Sequence, residues 1–312
     1  MNTLRQALEE YLVLRQALGF QVRDARSLLR RFVEFLEQRA ATSITQELAM
    51  HWATKSGALQ SAESSRRLTL VRGFARYRSA TDPHTQIPAT GLLPYRAQRA
   101  SPYLYSDTQI GQLRQAAEQL PSPTGLRAQT YVTAFGLLAV TGIRVGELVG
   151  LDTQDVDLNL SQVTIRHGKF GKSRLLPLHP TTGDALRHYV AERDRHYPIP
   201  QSPSFLVSEQ GRRLTDGALR RTFVTLSRQI GLRGPADSHG PRLHDFRHRF
   251  AVEVLLRWYR EGVDVERHLP ELSTYLGHVK VGDTYWYLSA TPELLQLALS
   301  RLERGCPEGV WP

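Results

Sequence analysis

Apolar residues in the first eighty positions recur with the period of an α-helix in four separate stretches. Leu4, Leu8 and Leu12 share one face of a stretch that ends at Gly19, a residue suited to a helix C-terminus. The same spacing predicts a second helix with Asp24 as its N-cap, a third at about 45–55 and a fourth at about 61–79. This part of the chain is therefore predicted to form a helical bundle.

The helical period of the apolar residues is lost after about residue 79, where the chain becomes rich in turn-forming residues. Residues 80–104 contain Pro83, Pro88, Pro94, Pro102 and Gly91 and have little periodicity. We interpret the stretch as a linker. The predicted organisation is a helical domain at 1–80, a linker at 81–104 and a second domain at 105–312.

Helical and strand periods alternate in the second domain. Ser106 and Asp107 begin a helix that reaches Leu120, and a helix at 125–140 is apolar on most faces. Residues 162–166 and 173–178 are predicted strands of a hairpin, with a third strand at 205–207. Further helices are predicted at about 215–230, 244–260, 266–275 and 292–304. The fold class is mainly α, with a mixed α+β second domain that contains a small antiparallel sheet.

Composition and apolar run length exclude several classes of protein. The chain has 312 residues, 41% hydrophobic and 22% charged, as in ordinary globular proteins. Its longest apolar run, 132–143, is much shorter than the roughly 20 residues of a membrane span. Glu9 and Glu10 interrupt any apolar signal segment, so we expect a cytoplasmic protein. A single cysteine, Cys306, excludes an intrachain disulfide and a cysteine-built metal site.

The net charge indicates a polyanionic partner. Forty basic and 30 acidic side chains leave +10, and residues 1–100 carry 15 of the basic and 8 of the acidic ones. Concentration of charge in one helical domain favours nucleic-acid binding, although charge runs are often only solvated surface. The candidate DNA-binding residues are Arg26, Arg30, Arg66, Arg67, Arg72 and Arg76.

Three segments of the second domain carry residue types suited to chemistry on a phosphodiester. They are TGIRVGELVGL at Thr141–Leu151, HDFRHRFA at His244–Ala251 and YLGHVKVGDTYWYL at Tyr275–Leu288. In this order and spacing they resemble the signature of the tyrosine recombinase, or phage integrase, family. The hairpin segment GKFGKSRLLPL resembles the loop of that family that carries a catalytic lysine. The resemblance also implies that the N-terminal bundle is a SAM-like core-binding domain.

The resemblance implies a role for seven residues. Arg144 and Arg247 would bind the phosphate, and Tyr287 would be the nucleophile. The remaining four are two histidines, a lysine and a supporting acid: His244, His278, Lys169 and Glu147.

Elementary chemistry is consistent with these roles. Guanidinium groups stay charged and match phosphate geometry, so two of them can stabilise charge on the non-bridging oxygens without a metal. A phenol, with an ordinary pKa of about 10, needs a neighbour that takes its proton or a cationic field that lowers its pKa, and we assign His244 as the base. The leaving 5′ oxygen needs a proton, which we assign to Lys169, one of only four lysines. His278 would hydrogen-bond a phosphate oxygen, and Glu147 would orient an arginine or a histidine. We expect no metal and no cofactor.

Other interpretations of the same residues stay open. Arg144 and Glu147 are spaced as an intrahelical ion pair. His244 and His248 have the spacing of a zinc-binding HExxH motif, although Asp245 replaces its glutamate. Tyr285 lies two residues before Tyr287 and is the alternative nucleophile.

The expected function is site-specific recombination of double-stranded DNA through a 3′-phosphotyrosyl intermediate on Tyr287. The resemblance implies a tetramer on two DNA sites, encoded by a mobile element that integrates, excises or transposes, and a nucleoid-associated location. A type IB topoisomerase and a DNA-binding protein without activity are the alternatives. After the nucleophile, an apolar stripe predicts a helix that packs on its own domain or, as in the resembling family, on a neighbouring protomer: Leu294, Leu295, Ala298, Leu299 and Leu302.

Overall fold

The chain divides into two compact units, Met1–Ala100 and Ser101–Pro312. The structure, a computed structural model, describes residues 3–20, 22–55, 61–93, 102–166, 173–237, 239–289 and 291–305. The boundary between the units falls inside the segment that the sequence predicts as a linker.

Four helices form the first unit, as the apolar period predicts: α1 (Leu4–Ala17), α2 (Arg23–Glu37), α3 (Gln46–Thr54) and α4 (Ser61–Arg78). Their apolar faces meet in one core, in which Leu12, Phe32 and Phe74 are fully buried. Helix α2 begins two residues earlier than predicted, with Val22 as its N-cap. Asp24 lies instead in the first turn, where a negative charge is favourable to the helix dipole.

The predicted linker is shorter than 81–104, because the chain from 81 to 89 folds back on the first unit. The amide of Gln86 donates to the carbonyl of Ile44 at 2.7 Å. The guanidinium of Arg72 donates to the carbonyls of Pro88 and Ala89, each at 2.7 Å. At the other end, Tyr105 is buried in the core of the second unit.

The second unit is mostly helical. Its α-helices are α5 (Asp107–Glu118), α6 (Leu126–Thr141), α7 (Val145–Gly150), α8 (Pro180–His196), α9 (Asp216–Gln229), α10 (Asp245–Arg260), α11 (Val265–Leu276), α12 (Gly282–Tyr285) and α13 (Pro292–Gly305). The sequence analysis missed α8 and the two short helices α7 and α12. The buried face of α8 consists of Gly183, Leu186, Tyr189 and Arg193, and a glycine and an arginine on that face interrupt the apolar period.

A small antiparallel sheet, β1 (Val156–Asp157), β2 (Gln162–Ile165) and β3 (Arg174–Pro177), is ordered β1-β2-β3. The predicted hairpin is confirmed, with Ile165 opposite Arg174. The third strand predicted at 205–207 is wrong, because that run forms only isolated bridges at its ends and its side chains are buried as a loop. A short apolar run does not distinguish these two structures.

The C-terminal helix α13 packs on its own unit by one face. Leu294 is fully buried in a core shared with α10 and α11, and the guanidinium of Arg301 donates to the carbonyl of Val263 at 2.6 Å. Leu295 and Leu299, which belong to the same predicted stripe, are exposed. The stripe is therefore divided between the core of the unit and the surface. Within the described parts of the chain, no helix is long and apolar enough to cross a membrane.

Candidate active site

The turn between α6 and α7 positions Arg144 and Glu147. Helix α6 ends at Gly142 with a φ of +59°, and a Cβ there would lie 2.7 Å from the ring of Phe250, so this turn requires glycine. Arg144 is the N-cap of α7. Its amide and its guanidinium donate to the carboxylate of Glu147 at 3.1 and 2.8 Å. The ion pair that the spacing suggested is present.

Arg247 lies in the first turn of α10 and is buried. Its guanidinium donates to the carbonyl of Gly142 at 3.0 Å and to the carbonyl of Leu276. Burial, together with the charge of Arg144, lowers the pKa of Arg247 to about 10. The side chain therefore remains a cation at neutral pH, as binding of a phosphate requires.

Three arginines converge on the C-terminal end of α11. The last carbonyls of a helix have no partner within it and carry partial negative charge. Here three consecutive carbonyls each accept a hydrogen bond from a different guanidinium: Tyr275 from Arg174 at 2.7 Å, Leu276 from Arg247, and Gly277 from Arg144 at 2.8 Å. Two of these arginines are those that the sequence assigns to phosphate binding, and His278 follows directly.

Arg174 was missed by the sequence analysis. It begins β3 and donates to both carboxylate oxygens of Glu147, at 3.0 and 2.8 Å. Burial disfavours the charged form of Glu147, but hydrogen bonds and charge from Arg174 and Arg144 outweigh it and lower the pKa of that carboxyl to about 2. Glu147 is therefore a shared anion between two cations. The one sequence signal was the position of Arg174 in the segment that follows the candidate lysine.

His278 and Tyr287 lie together. The Nδ1 atom of His278 is 2.7 Å from the hydroxyl of the buried Thr284. The imidazole ring stacks on the ring of Tyr287, with centroids 6.1 Å apart and an interplanar angle of 20°. Burial, then the nearby Arg247 charge, lowers the pKa of His278 to about 4. His278 is therefore neutral at pH 7.

The structure distinguishes the two candidate nucleophiles. Tyr287 is 3% exposed, whereas Tyr285 is 51% exposed. The ring of Tyr287 also lies 5.6 Å from the ring of His248 and 5.4 Å from that of Trp286. Tyr287 is thus the tyrosine that lies among the histidines of the site.

His244 and His248 are neighbours at the start of α10, and their rings meet edge to face at 4.8 Å. Burial lowers the pKa of each to about 4, with further lowering by Arg247 for His244 and by His244 for His248. Neutral imidazoles can accept a proton.

The described residues contain no group of three or more His, Cys, Asp or Glu side chains that could hold a metal ion.

The remaining predicted site residues are Lys169 and six arginines of the first unit. Lys169 lies outside the described residues. In the first unit, four of the six candidate DNA-binding arginines pair with Glu9 or Glu63, and a fifth is bound to backbone carbonyls: Arg26 and Arg30, Arg66 and Arg67, and Arg72. Arg76 is exposed. Arg72 therefore has a structural role in its own unit.

Comparison with known proteins bears on this arrangement of residues. The model of the phage integrase family matches residues 104–293. The chain belongs to the phage integrase family. An integrase/recombinase of Sinorhizobium fredii named y4rB is 51% identical to this integrase-family chain over 308 residues, covering 97% of it and 98% of the relative. The tyrosine recombinase XerD of Ralstonia nicotianae is 29% identical, covering 80% of the chain and 76% of the relative.

The fold is also similar to that of solved structures. The integrase of transposon Tn1549, solved with transposon right-end DNA, superposes with a TM-score of 0.66 at 16% identity, and the match covers 97% of this chain and 99% of that one. The mainly helical architecture with a small sheet is therefore that of an integrase-family member.

Proposed function

We propose that this protein is a site-specific DNA recombinase that cleaves and rejoins DNA through a 3′-phosphotyrosyl intermediate on Tyr287. The observation that carries the proposal is the position of Tyr287, buried against His248 and His278, where His278 directly follows the helix end that binds three arginines. Family membership and relatives named as integrases and recombinases support recombination over DNA relaxation or silent DNA binding.

In the proposed reaction the phenolic oxygen of Tyr287 attacks the scissile phosphorus, and the bond to the 5′ oxygen of the next nucleotide breaks. Arg144 and Arg247 hydrogen-bond the non-bridging oxygens as charge develops. Each guanidinium has five N–H donors, and two of them are committed to protein acceptors in each case. A 5′ hydroxyl of another strand then attacks the phosphotyrosine, which restores the phenol, so the number of phosphodiester bonds is conserved.

Proton transfer accompanies both steps. We assign the phenolic proton to His244, whose ring lies 4.8 Å from that of His248, and the ring of His248 lies 5.6 Å from that of Tyr287. All of these imidazoles are neutral at pH 7 because their pKa values are about 4. Lys169 is assigned as the acid that protonates the leaving 5′ oxygen.

Trapping on a nicked suicide substrate tests the nucleophile. The substrate is built from the element ends or inverted core sites found by sequencing the DNA that flanks the gene. Tyr287→Phe should bind this DNA but form no denaturant-stable protein–DNA adduct. Tyr285→Phe is the matched control, since it removes an exposed hydroxyl two residues away, and it should form the adduct at the parental rate. An adduct with Tyr287→Phe would refute the assignment.

We further propose that the recombinase acts as a tetramer on two DNA sites of a mobile element and associates with the nucleoid. The exposed residues Leu295 and Leu299 on α13 support an intersubunit contact, because the opposite face of the helix is already buried in its own unit. Plasmids with one site or two sites distinguish this from topoisomerase-like relaxation. Only plasmids with two sites should give recombinant products. Relaxation of plasmids without a site as fast as of plasmids with a site would contradict the proposal.

A further inference from the structure

The side chain of Arg174 makes three hydrogen bonds to residues of the candidate site. It is the first residue of β3, and its side chain is 10% exposed. Its Nε donates to the carbonyl of Tyr275 at 2.7 Å, and Nη1 and Nη2 donate to the two carboxylate oxygens of Glu147. One side chain thus joins the hairpin, α7 and the end of α11.

The backbone accommodates this guanidinium closely. A Cβ added at Gly277 would lie 2.8 Å from Nη1 of Arg174. Gly277 also has a φ of +67° and accepts the hydrogen bond from Arg144 through its carbonyl. The space beside this glycine is therefore filled by Arg174, directly against the residue that binds Arg144.

We propose that Arg174 is a positioning residue for the recombination reaction: by binding both oxygens of Glu147, it keeps that carboxylate from drawing Arg144 away from the scissile phosphate. This inference rests on the proposed function. The side chain of Glu147 is 8% exposed, and both arginines compensate its negative charge in this low-dielectric site. Without Arg174, the carboxylate retains Arg144 as its charged partner in the site and binds it more fully.

Without Arg174, Arg144 would therefore neutralise the negative charge of the scissile phosphate less well. Replacement by glutamine removes the forked donor, and replacement by lysine keeps a charge but cannot bind both carboxylate oxygens and the carbonyl of Tyr275 together. The expected defect is in charge neutralisation at the phosphate, and a substrate with less charge there should reverse it.

The experiment compares strand cleavage of two nicked suicide substrates, one with a normal scissile phosphodiester and one with a neutral methylphosphonate at that position. Arg174→Gln should slow cleavage of the normal substrate about 100-fold. On the methylphosphonate its rate should return to within about threefold of the parent. Arg144→Gln should show the same selective rescue.

Arg193→Gln is the matched control. Its side chain is 9% exposed and binds a carboxylate, Asp194, at 2.8 Å and the carbonyl of Phe205 at 3.1 Å, so it resembles Arg174 in burial and partners. Any slowing by Arg193→Gln should be equal on both substrates, because it reflects folding alone. Arg174→Lys should fall between the parent and Arg174→Gln and should be rescued in the same way.

The outcomes separate this inference from the proposed function. A parental protein that forms no phosphotyrosyl adduct on the normal substrate would refute the function itself. A parent that cleaves, with Arg174→Gln equally slow on both substrates or as fast as the parent, would overturn the positioning role. Unfolding of both Arg174 variants would also overturn it, since Arg174 would then be a stability residue.

Discussion

Replacement of Glu147 by glutamine tests the charge balance of the site through stability. The carboxyl has a pKa of about 2 in the folded protein against an ordinary value of 4.5, because Arg174 and Arg144 outweigh the cost of its burial. The difference between the two pKa values, roughly 2.5, corresponds to about 3 kcal/mol at about 1.36 kcal/mol per pH unit. Because the folded pKa is depressed, this contribution is fully present above pH 4.5 and is lost as the pH falls towards 2.

The assay is urea unfolding followed by tryptophan fluorescence. A Trp52→Phe background removes the only tryptophan of the first unit, so the signal reports on the second unit. Glu147→Gln should lower the free energy of unfolding by about 3 kcal/mol at pH 7, and by about 1.4 kcal/mol less at pH 3.5.

The control for that measurement is an exposed ion pair in the same unit. Asp184→Asn removes a carboxylate that is 72% exposed and paired with Arg187, and it should cost under about 0.5 kcal/mol at either pH. A loss below about 1 kcal/mol for Glu147→Gln, or a loss that does not change between pH 7 and pH 3.5, would refute the shared-anion argument.

Three further predictions concern catalysis and assembly. Lys169→Ala should slow cleavage of a normal 5′ oxygen leaving group but not of a 5′-thiolate, which leaves without a proton, whereas Lys172→Ala should match the parent; equal defects on both substrates would remove Lys169 from the acid role. Cleavage should persist in excess EDTA, and loss that a divalent ion reverses would favour the metal-binding interpretation of HDFRH. Leu294→Ala should lower the free energy of unfolding by about 3 kcal/mol. The double variant Leu295→Ala/Leu299→Ala should lower it by under about 1 kcal/mol but reduce recombination of two-site plasmids roughly tenfold. Normal two-site recombination by the double variant would exclude that face of α13 from assembly.

The choice between the two tyrosines shows what sequence comparison could predict. Composition and helical period treat Tyr285 and Tyr287 alike, and the resemblance selects Tyr287 by its distance from His278. The structure supplies the physical difference, since α12 ends at Tyr285 and the following 3-10 turn buries Tyr287 against the histidine rings. Motif spacing therefore selects Tyr287 as the candidate nucleophile, and burial distinguishes its surroundings from those of Tyr285.

Among the longer helices, the sequence predicted those whose buried faces are largely apolar and missed α8, whose buried face includes a glycine and an arginine. Helix α8 presents Gly183 and Arg193 to the interior, and Arg193 is bound there by a carbonyl and a carboxylate. Because arginine is usually exposed, the pattern of apolar and polar positions predicts a buried arginine at the surface. The same property concealed Arg174, whose partners are a backbone carbonyl and a carboxylate that lies 27 residues earlier in the chain.

The three arginines at the end of α11 bind backbone carbonyls, and such acceptors cannot be predicted from the types of residue in the sequence. The three arginines come from the turn before α7, from β3 and from α10, and they reach acceptors 133, 101 and 29 residues away in the chain. Carbonyl oxygens are present at every residue, so only the path of the chain makes these three available, at a helix end where they lack partners. His278 follows the last of them and stacks on Tyr287, so the same helix end contacts both candidate phosphate-binding arginines and the residue next to the candidate nucleophile. If the proposed roles hold, one short stretch of backbone links the residues that bind the phosphate to the residue that attacks it.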